Sequence, residues 1–233
     1  KPAGVDAKEI EGLVSLNQIK NVIIAVGYQH RFNELLEMVK SFYRDQVFGQ
    51  IVYVSCNMGE YLPHYHPNED YRKGYAAKEE MGGGVLRTQI HDINYLRWIF
   101  GELKVVGALG GKVSCLEIDA EDSVTALLKT AENVPVSLHM DYLQKKAYRV
   151  LEIVGIEGGM RWDYHENLIT KWNASGEFET IGASKLDRNK LFLNCIQNFL
   201  ECIQTRAQPR SNLNDGYRDL CLVDILKYYY KKK

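Results

Sequence analysis

Between Val105 and about Trp172 the chain is a succession of short extended runs, KVVGALGG, SVTALLKT, VPVSLHMDYL, YRVLEIVG, GMRWDY and LITKWN, separated by turn signals such as AENVP, IEGG and ASGE. Runs this short, rich in Val, Ile, Leu and aromatic residues and joined by a few turn residues, read as consecutive strands. Strands joined by such tight turns pair antiparallel, because a parallel pair needs a crossover of a dozen or more residues. This region therefore commits the chain to a large, mostly antiparallel sheet, and the elements around it have to cover that sheet.

The flanking segments are helical. Leu191 to Gln204 and Asn214 to Tyr230 read as two closing helices, the second capped by Asn214. Ahead of the sheet, NVIIAVG (Asn21 to Gly27) is a continuous apolar run, the pattern of a strand buried on both faces of a parallel sheet. It is followed by Asn33 to Phe48, with Leu35, Leu36, Val39, Phe42 and Tyr43 at helical spacing, and preceded by a candidate helix from Asp6 to Lys20. Gln50 to Asn57 (QIVYVSCN) adds a strand. The fold class is α/β in the α+β sense: a large mostly antiparallel sheet backed by helices, preceded by a strand–helix unit. Residues 1–48 are too few for a domain of their own, so the division falls into 1–48 and 49–233, with the last helix, 214–230, packing back on the first part.

With 45% hydrophobic residues, a chain of 233 buries a sizeable core. Net charge is −1 and the basic residues are dispersed, so no nucleic-acid or membrane footprint follows. No apolar run is long enough to span a bilayer. Five widely spaced cysteines without a CxxC pair read as reduced thiols of a cytosolic protein.

The residues that carry chemistry begin at MGGGV. Three consecutive glycines (Gly82 to Gly84) remove side chains where backbone turns sharply or approaches another group. They follow a polar loop rather than a buried strand, so they do not meet the context of a dinucleotide-binding turn. The bland reading is a tight start to a helix over Val85 to Phe100, ended by Gly101. One to two turns into it stands His91, with Arg87 a turn earlier on the same face and Tyr95 a turn later. A histidine there is either structural or a group that exchanges a proton with a hydroxyl near neutral pH. The loop HYHPNEDYRKGY (His64 to Tyr75) concentrates His66, Tyr71, Arg72 and Tyr75, stacking faces and donors suited to a polyhydroxylated ligand, or a solvated loop. His64 and His66 lack further nearby ligands, and no metal is expected.

In order and spacing, Lys1-Pro2 before a helix, VGYQHRF at Val26 to Phe32, and GGG with a later His and DIN at Gly82 to Asn94 resemble the Gfo/Idh/MocA oxidoreductases, the glucose-fructose oxidoreductase and inositol dehydrogenase family. The likeness extends along essentially the whole chain, and the run from Tyr61 to Leu96 resembles members associated with amino-sugar pathways. The resemblance implies an NAD- or NADP-dependent enzyme that moves a hydride at a CH–OH carbon of a sugar, amino sugar or nucleotide sugar. It implies that Lys1 and Pro2 border the nicotinamide, that Lys1 and His91 handle the hydroxyl proton, and that Arg31 lies near a domain junction at the substrate. Tyr142, and with it Arg149, are strand residues that reach the cleft or face outward. The family carries Asp four residues before this histidine, and here Arg87 stands there beside Thr88. Arginine cannot accept a proton and favours an anionic group, so Arg87 is either a contact to a carboxylate or phosphate or a salt-bridge residue. The resemblance further implies a homodimer or tetramer through the open sheet face. It implies a chain that starts at a lysine near the end of the nucleotide-binding domain, with residues 1–48 the C-terminal remnant of that Rossmann domain, so that the piece itself is inactive and binds dinucleotide weakly at most. A non-catalytic sugar-binding or assembly module, and a cofactor-using lyase or hydrolase, are the competing classes.

Overall fold

The computed structural model describes residues 1–20, 22–182 and 186–232, without the side chains of 17–20. Its centre is one eight-stranded sheet: β1 (Ile51–Gly59), β2 (Lys104–Gly111), β3 (Ser123–Lys129), β4 (Pro135–Asp141), β5 (Tyr148–Gly155), β6 (Gly158–Asp163), β7 (Leu168–Asn173) and β8 (Phe178–Gly182), in the order β2-β3-β4-β1-β5-β6-β7-β8. Six of the pairings are antiparallel. The exception is β1 beside β4, parallel from Val54↔Val136 to Gly59↔Asp141, because β1 enters the middle of the sheet from a distant part of the chain.

Alternation decides the two faces. In β3, Val124, Ala126 and Leu128 are buried while Thr125 and Leu127 point out. The buried face packs under α2 (Glu34–Arg44), α3 (Val85–Thr88), α4 (His91–Phe100) and α6 (Leu213–Lys231), which sits over β2. The other face is open, with Leu109 80% exposed and Val52, Val106 and Leu127 about half exposed. Helix α1 (Ala7–Lys20) lies against α6, where the Ala7 N–H donates to Asp224 Oδ2 at 3.0 Å. Helix α5 (Arg188–Thr205) packs on the turn at Gln29–Phe32 and leaves Phe192, Leu193, Ile196 and Leu200 largely in solvent. Among the described residues no helix is long and apolar enough to cross a membrane.

The structure departs from the sequence reading at several places. The apolar run at 21–27 is no sheet strand. Asn21 lies outside the described residues, and from Val22 onward the segment is extended with one bridge, Ala25↔Asn212. An extended run needs a neighbour to make a ladder, and the eight sheet positions are filled by other segments. Strand β8 was not anticipated. Helix α6 is capped by Asn212 rather than Asn214, through a reciprocal capping box with Asp215. Helix α2 stops at Arg44, short of Phe48. The helix expected over 85–100 is two, broken at Gln89 and Ile90.

Candidate functional site

The glycines set the start of the first of these helices. Gly82 and Gly84 have φ of +79° and +96°, and a Cβ on Gly83 would lie 2.4 to 2.8 Å from the carbonyl oxygens of Tyr75, Lys78 and Ala76. The backbone is thereby pressed under the 75–81 turns, and α3 runs for a single turn. In an unbroken helix the Asp92 N–H would bond Thr88 O; here it goes to Gln89 O at 3.2 Å. The Thr88 carbonyl receives the Lys1 ammonium instead. Restarting the helix also makes His91 the first residue of α4, where the positive end of the helix disfavours an imidazolium.

Lys1 and His91 both line a cleft of about 870 Å³, together with His30, Glu60, Tyr65, Gln89 and Arg149. Lys1 is exposed at its backbone end and joined to Pro2 by a cis peptide bond, while its side chain runs inward to Thr88. Burial of the ammonium, aided by the charge of Arg149 and opposed by Asp92 and Glu60, lowers its pKa to about 8. His91 is held well below the usual histidine range by burial and then by Lys1, His30 and Arg149. Its Nδ1 is buried without a hydrogen-bond partner. The His30 ring stands edge-on to His91, centroids 4.5 Å apart.

Arg149, buried on β5, organises the floor. Its Nε lies 3.2 Å from Asp92 Oδ2, Nη1 donates to His30 Nε2 at 3.1 Å, and Nη2 donates to Gln89 Oε1 at 2.7 Å. A guanidinium only donates, so His30 Nε2 is an acceptor and its ring is neutral. Burial and the surrounding cations push its pKa in that same direction. The Gln89 amide is oriented likewise, its Nε2 donating to Tyr65 OH at 3.0 Å and Glu60 Oε2 at 3.2 Å. Asp92, fully buried, accepts from Tyr95 OH at 2.5 Å.

Of the residues singled out from sequence, Lys1, His64, His66, Tyr75, His91 and Arg149 line the cleft. Thr88 takes part through its carbonyl. Pro2, Arg31, Tyr71, Arg72, Arg87 and Tyr142 do not line it. Arg31 is consumed by a two-pronged pair with Asp215 at 3.0 and 3.1 Å and by Asn94 at 2.9 Å, tying the 29–32 turn to the start of α6. Arg72 pairs in solvent with Asp70 and Glu117, and Tyr71 OH accepts the Glu117 N–H at 3.2 Å. Tyr142 is packed in the core. Arg87 points away into a buried cluster: Nη2 donates to Glu79 at 2.6 Å and Nη1 to the Val5 carbonyl at 3.1 Å. Lys227 joins Glu79 at 2.9 Å and Glu121 at 3.3 Å. His30, Glu60 and Gln89 were not foreseen. His30 stands inside the VGYQHRF motif, where its adjacency to Arg31 was a usable signal, whereas Gln89 and Arg149 meet across 60 residues with no local mark. Among the described residues no group of three or more His, Cys, Asp or Glu side chains is arranged to hold a metal ion.

Comparisons with known proteins bear on the family and the fold. A sequence model described as the GFO/IDH/MocA C-terminal domain matches residues 36–161. An uncharacterized oxidoreductase of Synechocystis is 21% identical over the whole chain and 70% of its own length. The rhizopine catabolism protein MocA of Rhizobium meliloti is 26% identical over 44% of this chain and 29% of its own. Among solved structures, levoglucosan dehydrogenase in complex with NADH and levoglucosan superposes with a TM-score of 0.88 at 18% identity, covering 100% of this chain and 70% of that one. Aldose-aldose oxidoreductase from Caulobacter crescentus gives 0.85 at 18% identity, covering 100% and 69%.

Proposed function

The chain belongs to the Gfo/Idh/MocA oxidoreductase family, and from that premise we propose that it is the sugar-binding part of an NAD(P)-dependent dehydrogenase acting at a CH–OH carbon. The observation that carries this is the meeting of Lys1 and His91 in one cleft, through a helix break that gives Lys1 a backbone acceptor. When bound, the nicotinamide supplies the hydride acceptor. The residues present fit its reacting end, with Lys1 and the unpartnered Nδ1 of His91 at the cleft. They do not fit its pyrophosphate, which needs a glycine-rich turn at a helix N-terminus.

The chain's own part is proton management. An amine with a pKa of about 8 is divided between donor and acceptor forms near neutral pH. A neutral His91 accepts a hydroxyl proton, and its neighbours Lys1, His30 and Arg149 make the resulting cation short-lived. Gln89, Tyr65 and Glu60, oriented as a set by Arg149, supply the donor and acceptor pattern a polyol requires. The half-exposed apolar residues of the open sheet face belong to the same reading, as the surface of a homodimer or tetramer.

The test is nicotinamide reduction in the natural polypeptide that carries this chain, with NAD⁺ and NADP⁺ across sugars, amino sugars and nucleotide sugars. His91→Asn is expected to lower kcat by roughly 10²- to 10⁴-fold with sugar affinity little changed. An unchanged kcat rejects the role of His91, and sugar binding without any dinucleotide binding rejects the dehydrogenase reading.

A further inference from the structure

Among the described residues lining the cleft, Glu60 is the one carboxylate, and the cations include Lys1, Lys145, Arg149 and Arg188. Two of these are already committed: Arg149 to Asp92, and Lys1 to the Thr88 carbonyl. The other two are not. Lys145 stands over the Tyr61 ring, 2.9 Å from its centroid, and Arg188 lines the cleft together with Tyr164. Among the described residues neither forms an ion pair with a carboxylate.

A second observation points the same way from inside the cleft. The charged groups that act on His30 are Arg149, Lys1, Arg188 and His165, and those on His91 include Lys1, His30 and Arg149; all favour the neutral imidazole. Asp92 and Glu60 offset part of this at Lys1 and Arg149, and among the described residues no carboxylate pairs with Lys145 or Arg188. A walled cleft with unbalanced charge focuses its potential on the ligand, and sites for neutral polyols have no use for such a surplus of donors. Oxyanions do, because charge-assisted hydrogen bonds from guanidinium and ammonium groups are about twice as strong as neutral ones.

Resting on the sugar-binding reading above, we infer that the sugar taken by this cleft carries an anionic substituent, a carboxylate or a phosphate, held at the cleft by Arg188 and Lys145. Arg87, which sequence reasoning offered for that duty, is occupied elsewhere, and the duty passes to residues on α5 and on the loop after β4.

Calorimetric titration of the natural polypeptide that carries this chain with D-glucose, D-glucuronate and D-glucose 6-phosphate tests the inference. At least one anionic sugar is expected to bind roughly tenfold or more tighter than glucose, with the margin shrinking at high salt. Which of the two gains more distinguishes carboxylate from phosphate. Arg188→Gln and Lys145→Gln, both at exposed positions, are each expected to remove most of that margin while leaving glucose affinity and the circular dichroism spectrum unchanged. Equal affinity for glucose and both anionic sugars overturns the inference and leaves the dehydrogenase reading standing. So do variants that bind the anionic sugar as before, or that weaken NADH or inorganic pyrophosphate while sparing sugars, which would assign the charges to the dinucleotide. Failure of every sugar to bind overturns both.

Discussion

Replacing Arg87 by Met separates its two readings, substrate contact and structural tie. The Arg87 side chain is 4% exposed and its partner Glu79 is 40% exposed. Deleting one member of a fully buried ion pair costs about 3–5 kcal/mol because the other is stranded, whereas a surface pair is worth about 0–1 kcal/mol. Here the survivor is not stranded, since Glu79 keeps Lys227 at 2.9 Å and contact with water. The Val5 carbonyl loses its donor, and the methionine fills the aliphatic space. The loss therefore falls between the limits, at about 2 kcal/mol, which for a chain of this size lowers Tm by about 4–8 °C. Scanning fluorimetry or calorimetry reads the shift, and titration with sugar reads the site. The expected result is lower Tm with unchanged affinity. An unchanged Tm with affinity lost would refute the placement of Arg87 in the Glu79–Lys227–Glu121 cluster and return it to the cleft.

The glycines give a graded test: Gly82→Ala adds only the left-handed backbone cost of about 1–2 kcal/mol, its nearest neighbour being 3.7 Å away. Gly84→Ala adds that cost and drives a Cβ to 2.3 Å from the Glu121 carboxylate, so urea unfolding is expected to rank it clearly worse, and equal losses would contradict the packing described. Lys1 has its pKa lowered from 10.5 to about 8, so between those values the unfolded chain binds more protons than the folded one. Stability relative to a Lys1→Met variant is therefore expected to rise as pH goes from about 8 to 10.5 and to be flat on either side. Denaturant titrations across that range check it, and a difference that stays constant would show an unperturbed amine.

How much of this was legible follows the range over which each feature is specified. Strands β2 to β7 show in the sequence because apolar and polar residues alternate between turn residues, a local property. Strand β8 does not, because Phe178 to Gly182 form an edge with hardly any buried residue, and an edge strand has no core face to mark it. The run at 22–27 misled for the opposite reason: it is apolar enough for a strand, but strandedness belongs to a pair, and its one bridging partner is Asn212. The break at Gln89–Ile90 was invisible because helical periodicity continues across it; the glycines that stand close to the 75–81 turns and Glu121 lie five or more residues earlier, at the start of α3. At the site, His91 was identifiable from its motif. The group it rests against, His30, lies 61 positions away, and Arg149, which fixes His30, is 119 from it. Arg87 illustrates the limit in reverse: its charge suggested an anion, and the anions it found were Glu79 and, through Lys227, Glu121.

The lysine of the cleft is held by a carbonyl that belongs to the main chain. A scan that exchanges side chains one at a time would pass over this tether, since every residue at position 88 brings the same oxygen. What the contact depends on is the fault in the helix, where the Asp92 N–H goes to Gln89 O, so the sequence can drift at 88 and remain anchored. An amide-to-ester exchange after Thr88, which weakens that acceptor and alters no side chain while also removing the Gln89 N–H that donates to Val85 O at 3.0 Å, is the way to reach it.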